Sequence, residues 1–199
     1  MRRSALALCA LAASATLAAQ NPPGGPRVIQ LPDTMGANFS VADSATAPGS
    51  AADFDFLVGL WEFRFQGRLP DGTFAPVFTG HWTAEKKRTP NGFIEDHWRG
   101  DSPKSSFASG TYTYRVFNPR RKIWEMQGVG SESGAWQPGL SWSDANNRYV
   151  IQHNGRSLLR IRYFNITDTS FMWRTDESHD AGVTWQRDFW TMTATRIGK

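Results

Sequence analysis

From Asp53 to the C-terminus, apolar and polar residues alternate with a period of two, and turn residues interrupt the alternation at short intervals. That pattern is the signature of antiparallel strands with one face buried. It predicts strands at Trp61 to Arg68, Ala75 to Lys87, Phe93 to Arg99, Thr111 to Phe117 and Ile123 to Val129. Five more follow at Leu140 to Ser143, Arg148 to His153, Leu158 to Phe164, Ser170 to Asp176 and Val183 to Arg196. Pro70-Asp71-Gly72, Pro90-Asn91-Gly92, Asn118-Pro119 and Asn154-Gly155-Arg156 separate them with ordinary turn chemistry. No amphipathic helix longer than a turn is expected. The run Asp53 to Val58 reads as a single helical turn capped by Asp53. About ten up-and-down strands favour closure into an antiparallel β-barrel, because an open sheet would leave two aggregation-prone edges.

Before Asp53 the alternation is missing. Residues 1–19 have a positive start (Arg2, Arg3), an apolar stretch (Ala5 to Leu17) and small residues for cleavage, the three parts of a secretory signal peptide. The apolar run is too short to span a bilayer. Cys9 follows Leu8, where a lipid attachment site wants a small residue, so export without a lipid anchor is expected. Residues 20–52, rich in Pro, Gly, Ser and Ala, read as a disordered or extended linker, with a short extended piece at Val28 to Leu31. The barrel domain is then 53–199, and its expected address is periplasmic or secreted.

Composition narrows the chemistry. Nine Trp and 13% aromatic residues suit a packed β core. Cys9 is the single cysteine, so a mature domain without it has no thiol nucleophile, disulfide or thiolate zinc site. The formal charge of +4 falls to +2 without Arg2 and Arg3, which is no footprint for nucleic acid. The basic clusters Lys86-Lys87-Arg88 and Arg120-Arg121-Lys122 adjoin turn signals and read as solvated hairpin ends.

Gly59-Leu60-Trp61 opens the first barrel strand and Arg196 lies near the end of the last. This G-x-W…Arg arrangement resembles the lipocalin and fatty-acid-binding (calycin) pattern, in which the Trp closes one end of the barrel and the Arg packs across it. A guanidinium over an indole is worth about 0.5–2 kcal/mol, depending on burial. More closely, residues 53 to 197 resemble a bacterial family of unknown function with a lipocalin-like domain. The resemblance rests on Phe54 to Trp61 (F-D-F-L-x-G-x-W), Asn118-Pro119 followed by Trp124, and Asn165 to Trp173. It implies a calycin-like barrel and is nearly silent about activity. No cofactor is expected. Because small barrels of this kind sometimes hold haem through one imidazole, His97 and His153 are the positions where haem would be ligated.

Ser178-His179-Asp180-Ala181-Gly182-Val183-Thr184-Trp185 matches S-x-D-x-G-x-T-W, the Asp-box hairpin of sialidase-type propellers. A single copy in a chain of this length reads as a rigid turn, not a sugar-processing site. His81, His97, His153 and His179 lack metal-ligand spacing, no G-x-S-x-G elbow occurs, and Gly128-Val129-Gly130 lacks the remainder of a phosphate-binding loop.

What remains is the barrel interior. With Trp61 facing inward, Phe63 and Phe65 follow it, and Phe78, Gly80 and Trp82 share a face of the second strand. On the third, Ile94, Asp96 and Trp98 share a face. A buried Asp96 then needs a partner, and Arg115, Arg160, Arg162 and Arg174 are the strand-borne options. The expected ligand site combines Trp82, Asp96, Trp98, Arg115, Trp124, Met126, Arg162 and Trp173 around a small, mostly apolar or amphipathic molecule. The alternative of outward-snorkelling arginines over a packed interior stays open. Two rival functions stand beside ligand binding. One is a barrel isomerase or hydrolase using Asp96 or Glu95 as acid or base, and the other is a structural envelope domain with a filled core.

Overall fold

The computed structural model describes residues 27–30, 40–43, 49–89, 91–101, 110–130 and 134–199. The expected signal peptide, Cys9 and most of the linker lie outside the described residues. Within the linker, β1 (Arg27–Gln30) and β2 (Ser40–Asp43) pair antiparallel as a separate two-stranded sheet. No helix among the described residues is long and apolar enough to cross a membrane.

Ten strands form the barrel: β3 (Gly59–Gly67), β4 (Phe78–Lys87), β5 (Phe93–Asp101), β6 (Gly110–Asn118) and β7 (Ile123–Gly130). They continue as β8 (Trp136–Ser143), β9 (Arg148–His153), β10 (Leu158–Phe164), β11 (Ser170–Ser178) and β12 (Gln186–Gly198). Each pairs antiparallel with the next, and β12 returns to β3, so the sheet closes without an edge. Strict alternation places Trp61, Phe63 and Phe65 of β3 inside, with Glu62 and Arg64 outside. The same parity turns Trp82, Ile94, Asp96, Arg115 and Phe117 inward. β8 begins at Trp136, four residues before the expected start, because Pro138 and Gly139 conceal the strand. β12 begins at Gln186, not Val183, because the preceding turn holds Val183 to Trp185.

One end of the barrel is solid. Phe54, Leu57, Trp61, Trp124 and Phe171 are essentially inaccessible there; Phe54 meets Trp124 and Tyr163 edge to face, and Trp61 meets Phe171 the same way. The Trp61 indole donates to Leu57 O at 2.8 Å. Above it, 4.1 Å from the ring centroid, lies the Arg196 guanidinium, which donates to Val58 O (2.5 Å), Phe56 O (2.8 Å) and Asp168 O (2.6 Å). Gly59 makes this approach possible. Its φ of +125° is a conformation L side chains rarely adopt, and an added Cβ would stand 2.4 Å from Arg196 Nη1.

The short helix before β3 is a 3-10 turn at Asp55–Leu57, and Asp53 does not cap it. Instead the Asp53 carboxylate accepts from Ser50 N (2.9 Å) and Ser143 Oγ (2.7 Å), while Arg148 Nε donates to Asp53 O at 2.7 Å. Trp124 Nε1 donates to Ser50 O at 2.9 Å. The chain entering the barrel is thereby sewn to β7, β8 and β9.

The Asp-box motif forms the β11–β12 turn. Ser178 Oγ and Gly182 N meet at 2.8 Å, and Asp180 accepts from Thr184 N (2.8 Å) and Thr184 Oγ1 (2.6 Å). Trp185 closes the turn by donating to Gly182 O at 3.0 Å. It then packs against a second, outer apolar cluster of Ile123, Leu140, Ile151 and Leu158, with Arg160 stacked on its ring at 4.4 Å. The basic clusters sit at hairpin ends in local ion pairs, such as Lys86 with Asp55 and Arg121 with Glu125.

Candidate functional site

Above the aromatic plug the interior is hollow. A cavity of about 430 Å³ runs toward the opposite end of the barrel, within the ordinary range for small-molecule sites. Its walls are of two kinds. Phe65, Phe78, Trp98, Trp173, Trp190 and Met192, from β3, β4, β5, β11 and β12, make one side almost wholly aromatic. Thr111, Thr113, Gln137, Gln152 and Asn154 bring polar groups to the other, among Met126, Leu159 and Ile161 of β7 and β10. Phe65 contacts Phe78 at 4.7 Å and Trp98 at 5.6 Å between centroids, and Trp173 stacks on Trp190 at 6.5 Å. Trp98 itself lies flat on Phe63, 5.1 Å apart and 5° from parallel.

Asp96 and Arg115 stand deep in this cavity, only 1% and 2% exposed. Asp96 comes from β5 and Arg115 from β6, displaced by one inward position from the residue opposite Asp96, Thr113. Arg115 Nε donates to Asp96 Oδ2 at 2.5 Å and Nη2 to Oδ1 at 3.2 Å, while Trp82 Nε1 donates to Oδ1 at 2.9 Å. Burial alone would lower the Arg115 pKa, but the adjoining carboxylate outweighs it and holds the guanidinium above its ordinary value. Nη1 points at the Met126 sulfur, 3.4 Å away, and the Phe54 ring lies 5.1 Å from the guanidinium carbon. Beside this pair, burial pushes the Tyr163 phenol upward, with Arg115 opposing the shift. Trp98 Nε1 is buried and finds no partner among the described residues.

Six of the eight residues expected at the site line this cavity: Trp82, Asp96, Trp98, Arg115, Met126 and Trp173. Two do not. Trp124 faces inward but lies within the plug, below the hollow. Arg162 points outward, because Ile161 and Tyr163 take the inner face of β10, and it stacks on Phe164 at 4.6 Å. Of the possible partners for Asp96, Arg160 pairs outside with Asp176 (2.8 Å) and Arg174 with Asp188 (3.1 Å), which leaves Arg115. Met172, on the outer face of β11, is likewise away from the cavity. Sequence reasoning missed Tyr163, Trp190 and Met192, all of which the period-two parity of β10 and β12 would have selected. It also missed Gln137 and Gln152, whose amides carry no pattern of their own.

The acid and base chemistry open to this site is limited. Both oxygens of Asp96 are engaged by cationic or indole donors, so neither is turned toward a molecule in the cavity. Glu95 is on the outer face, 3.5 Å from Lys87 Nζ. Near the β11–β12 turn, Glu177 lies between Ser157 Oγ (2.6 Å) and His179 Nε2 (3.3 Å). The imidazole therefore meets the carboxylate and not the hydroxyl, the wrong order for a nucleophilic relay. The two imidazoles named for haem ligation lie outside the cavity. His97 stacks on Tyr112 at 3.9 Å outside the barrel, and His153 lies opposite Leu158 on the outer face, with Nδ1 accepting from Gly155 N at 3.0 Å.

No family model matches the chain, and no curated protein matches it. Among solved structures it is similar to Rv2717c from M. tuberculosis, with a TM-score of 0.54 and 12% sequence identity over 73% of this chain and 96% of that one. An S-type phycobiliprotein lyase, CPES from Guillardia theta, matches with a TM-score of 0.48 and 11% identity over 73% of this chain and 90% of that one. The likeness to Rv2717c is one of fold: the chain is an all-β, calycin-like barrel.

Proposed function

We propose that this is an exported protein that binds a small, largely apolar molecule inside its barrel, in the periplasm or outside the cell. The observation that carries the reading is the two-sided cavity, aromatic along one wall and hydroxyl- and amide-bearing along the other. A barrel serving only as a scaffold has no reason to leave its upper half hollow, since unfilled apolar volume costs about 24 cal/mol per Å³ when created by truncation. Catalysis is the weaker reading, because Asp96 is locked by its donors and Glu95 faces away.

Titration with N-phenyl-1-naphthylamine, a neutral dye that brightens in apolar surroundings, tests the proposal. One saturable site per chain is expected. Thr111 faces inward on the cavity wall, and Thr111→Trp should fill the hollow and weaken the dye about tenfold or more. Dye binding that is absent, or indifferent to this substitution, would sink the reading.

A further inference from the structure

We infer that the cavity selects an uncharged ligand, one that presents a neutral oxygen acceptor to Arg115 and carries no carboxylate, sulfonate or phosphate. This rests on the binding reading above and narrows it to a chemical class.

Asp96 and Arg115 are the only charged residues lining the cavity among the described residues. Their charges cancel within a two-point contact that the Trp82 indole completes. An anion entering this space would surrender its hydration and find the sole cation already neutralised, with the Asp96 carboxylate beside it. A cavity built to grip a carboxylate needs the opposite arrangement, a buried cation without a counter-ion of its own. A cation fares no better on the polar side, because the two Asp96 oxygens are already taken.

Arg115 is nevertheless not saturated. A guanidinium has five N–H groups. Two go to Asp96, a third meets the Met126 sulfur, a weak acceptor, at 3.4 Å, and another goes to the Tyr163 phenol. One donor is left, and both Arg115 and the Tyr163 phenol line the hollow, so a carbonyl, ether or phenol oxygen can pair with them without disturbing the ion pair. Thr113 and Gln152 stand on the same wall and offer further neutral hydrogen bonds. The aromatic wall opposite suits a flat apolar body.

Calorimetric titration of the full-length protein with three matched probes tests this: methyl 2-naphthoate, 2-naphthoate and 2-naphthylmethylammonium. The neutral ester should bind at least about tenfold more tightly than either ion. A carboxylate or an ammonium that binds as tightly as the ester overturns the inference while leaving the binding reading standing. If none of the three binds while N-phenyl-1-naphthylamine does, the inference falls alone; if the dye fails as well, both fall. Asp96→Asn, which uncovers the Arg115 charge, should shift the ester-to-carboxylate preference toward the carboxylate by about tenfold or more, with circular dichroism reporting whether the variant folds. Because that variant leaves a cation buried and uncompensated, the Asp96→Asn, Arg115→Met double variant is the second arm. It should weaken the ester about tenfold and still exclude the carboxylate. A double variant that binds the ester as well as the parent protein counts against Arg115 as the donor.

Discussion

Trp61→Ala would remove a fully buried indole, its bond to Leu57 O, and the surface on which Arg196 rests. The loss should be about 3–5 kcal/mol of stability by chemical denaturation. Because the plug lies below the hollow, affinity for N-phenyl-1-naphthylamine in the variant that remains folded should be unchanged. A variant with normal stability, or one that binds the dye differently, would show that the plug has been misplaced. Individual residues were legible in unequal measure. Trp82, Asp96 and Trp98 followed from parity alone, since each shares a face with an unmistakable apolar neighbour. Arg162 did not, because Arg160 and Arg162 alternate with Ile161 and Tyr163, and only the apolar pair identifies the inner face of β10. Trp124 shows a different limit: parity says in or out, but depth along the barrel axis depends on how neighbouring strands are staggered.

Among the elements, the β11–β12 turn is the most completely specified by local chemistry. Hydrogen bonds from Thr184 and then Ser178 lower the Asp180 pKa from 3.8 to about 2. The sign follows: the carboxylate is favoured in the folded protein, so its contribution is full above the unfolded value and is lost as pH falls through about 2. Asp180→Asn should therefore lower the melting temperature at about pH 6, and the difference from the parent should shrink as pH falls from about 4 through about 2. A difference that persists unchanged at the acid end would mean that the turn does not rely on the charge. This turn was readable because S-x-D-x-G-x-T-W places every donor and acceptor within eight residues. The start of β8 was not, because Pro138 and Gly139 look like loop residues and are held in the sheet only by β7 and β9.

At the scale of the whole molecule, the number and order of strands were visible in the spacing of the turns. Closure was an argument about edges that the β12–β3 pairing bears out. The hollow was not visible, because a set of inward side chains does not state how far apart the walls stand. Export belongs to this scale too: N-terminal sequencing of protein recovered from the periplasm or medium should begin near residue 20, and an intact N-terminus on that material would refute removal of the leader.

The Arg196 clasp joins segments 138 and 140 residues apart in the chain, and this bears on the order of events during folding. Local hairpins from β3 to β11 can form early, but the ring can be sealed only when the segment carrying Arg196 reaches β3. Contacts this distant in sequence are the slow ones. Until then the barrel is a curling ribbon with β3 still seeking its last neighbour. During refolding from denaturant, β3 should stay open to protease until the last kinetic phase, and a chain truncated before Arg196 should stay open to it throughout. The residue that locks the finished molecule thereby also sets when it is finished.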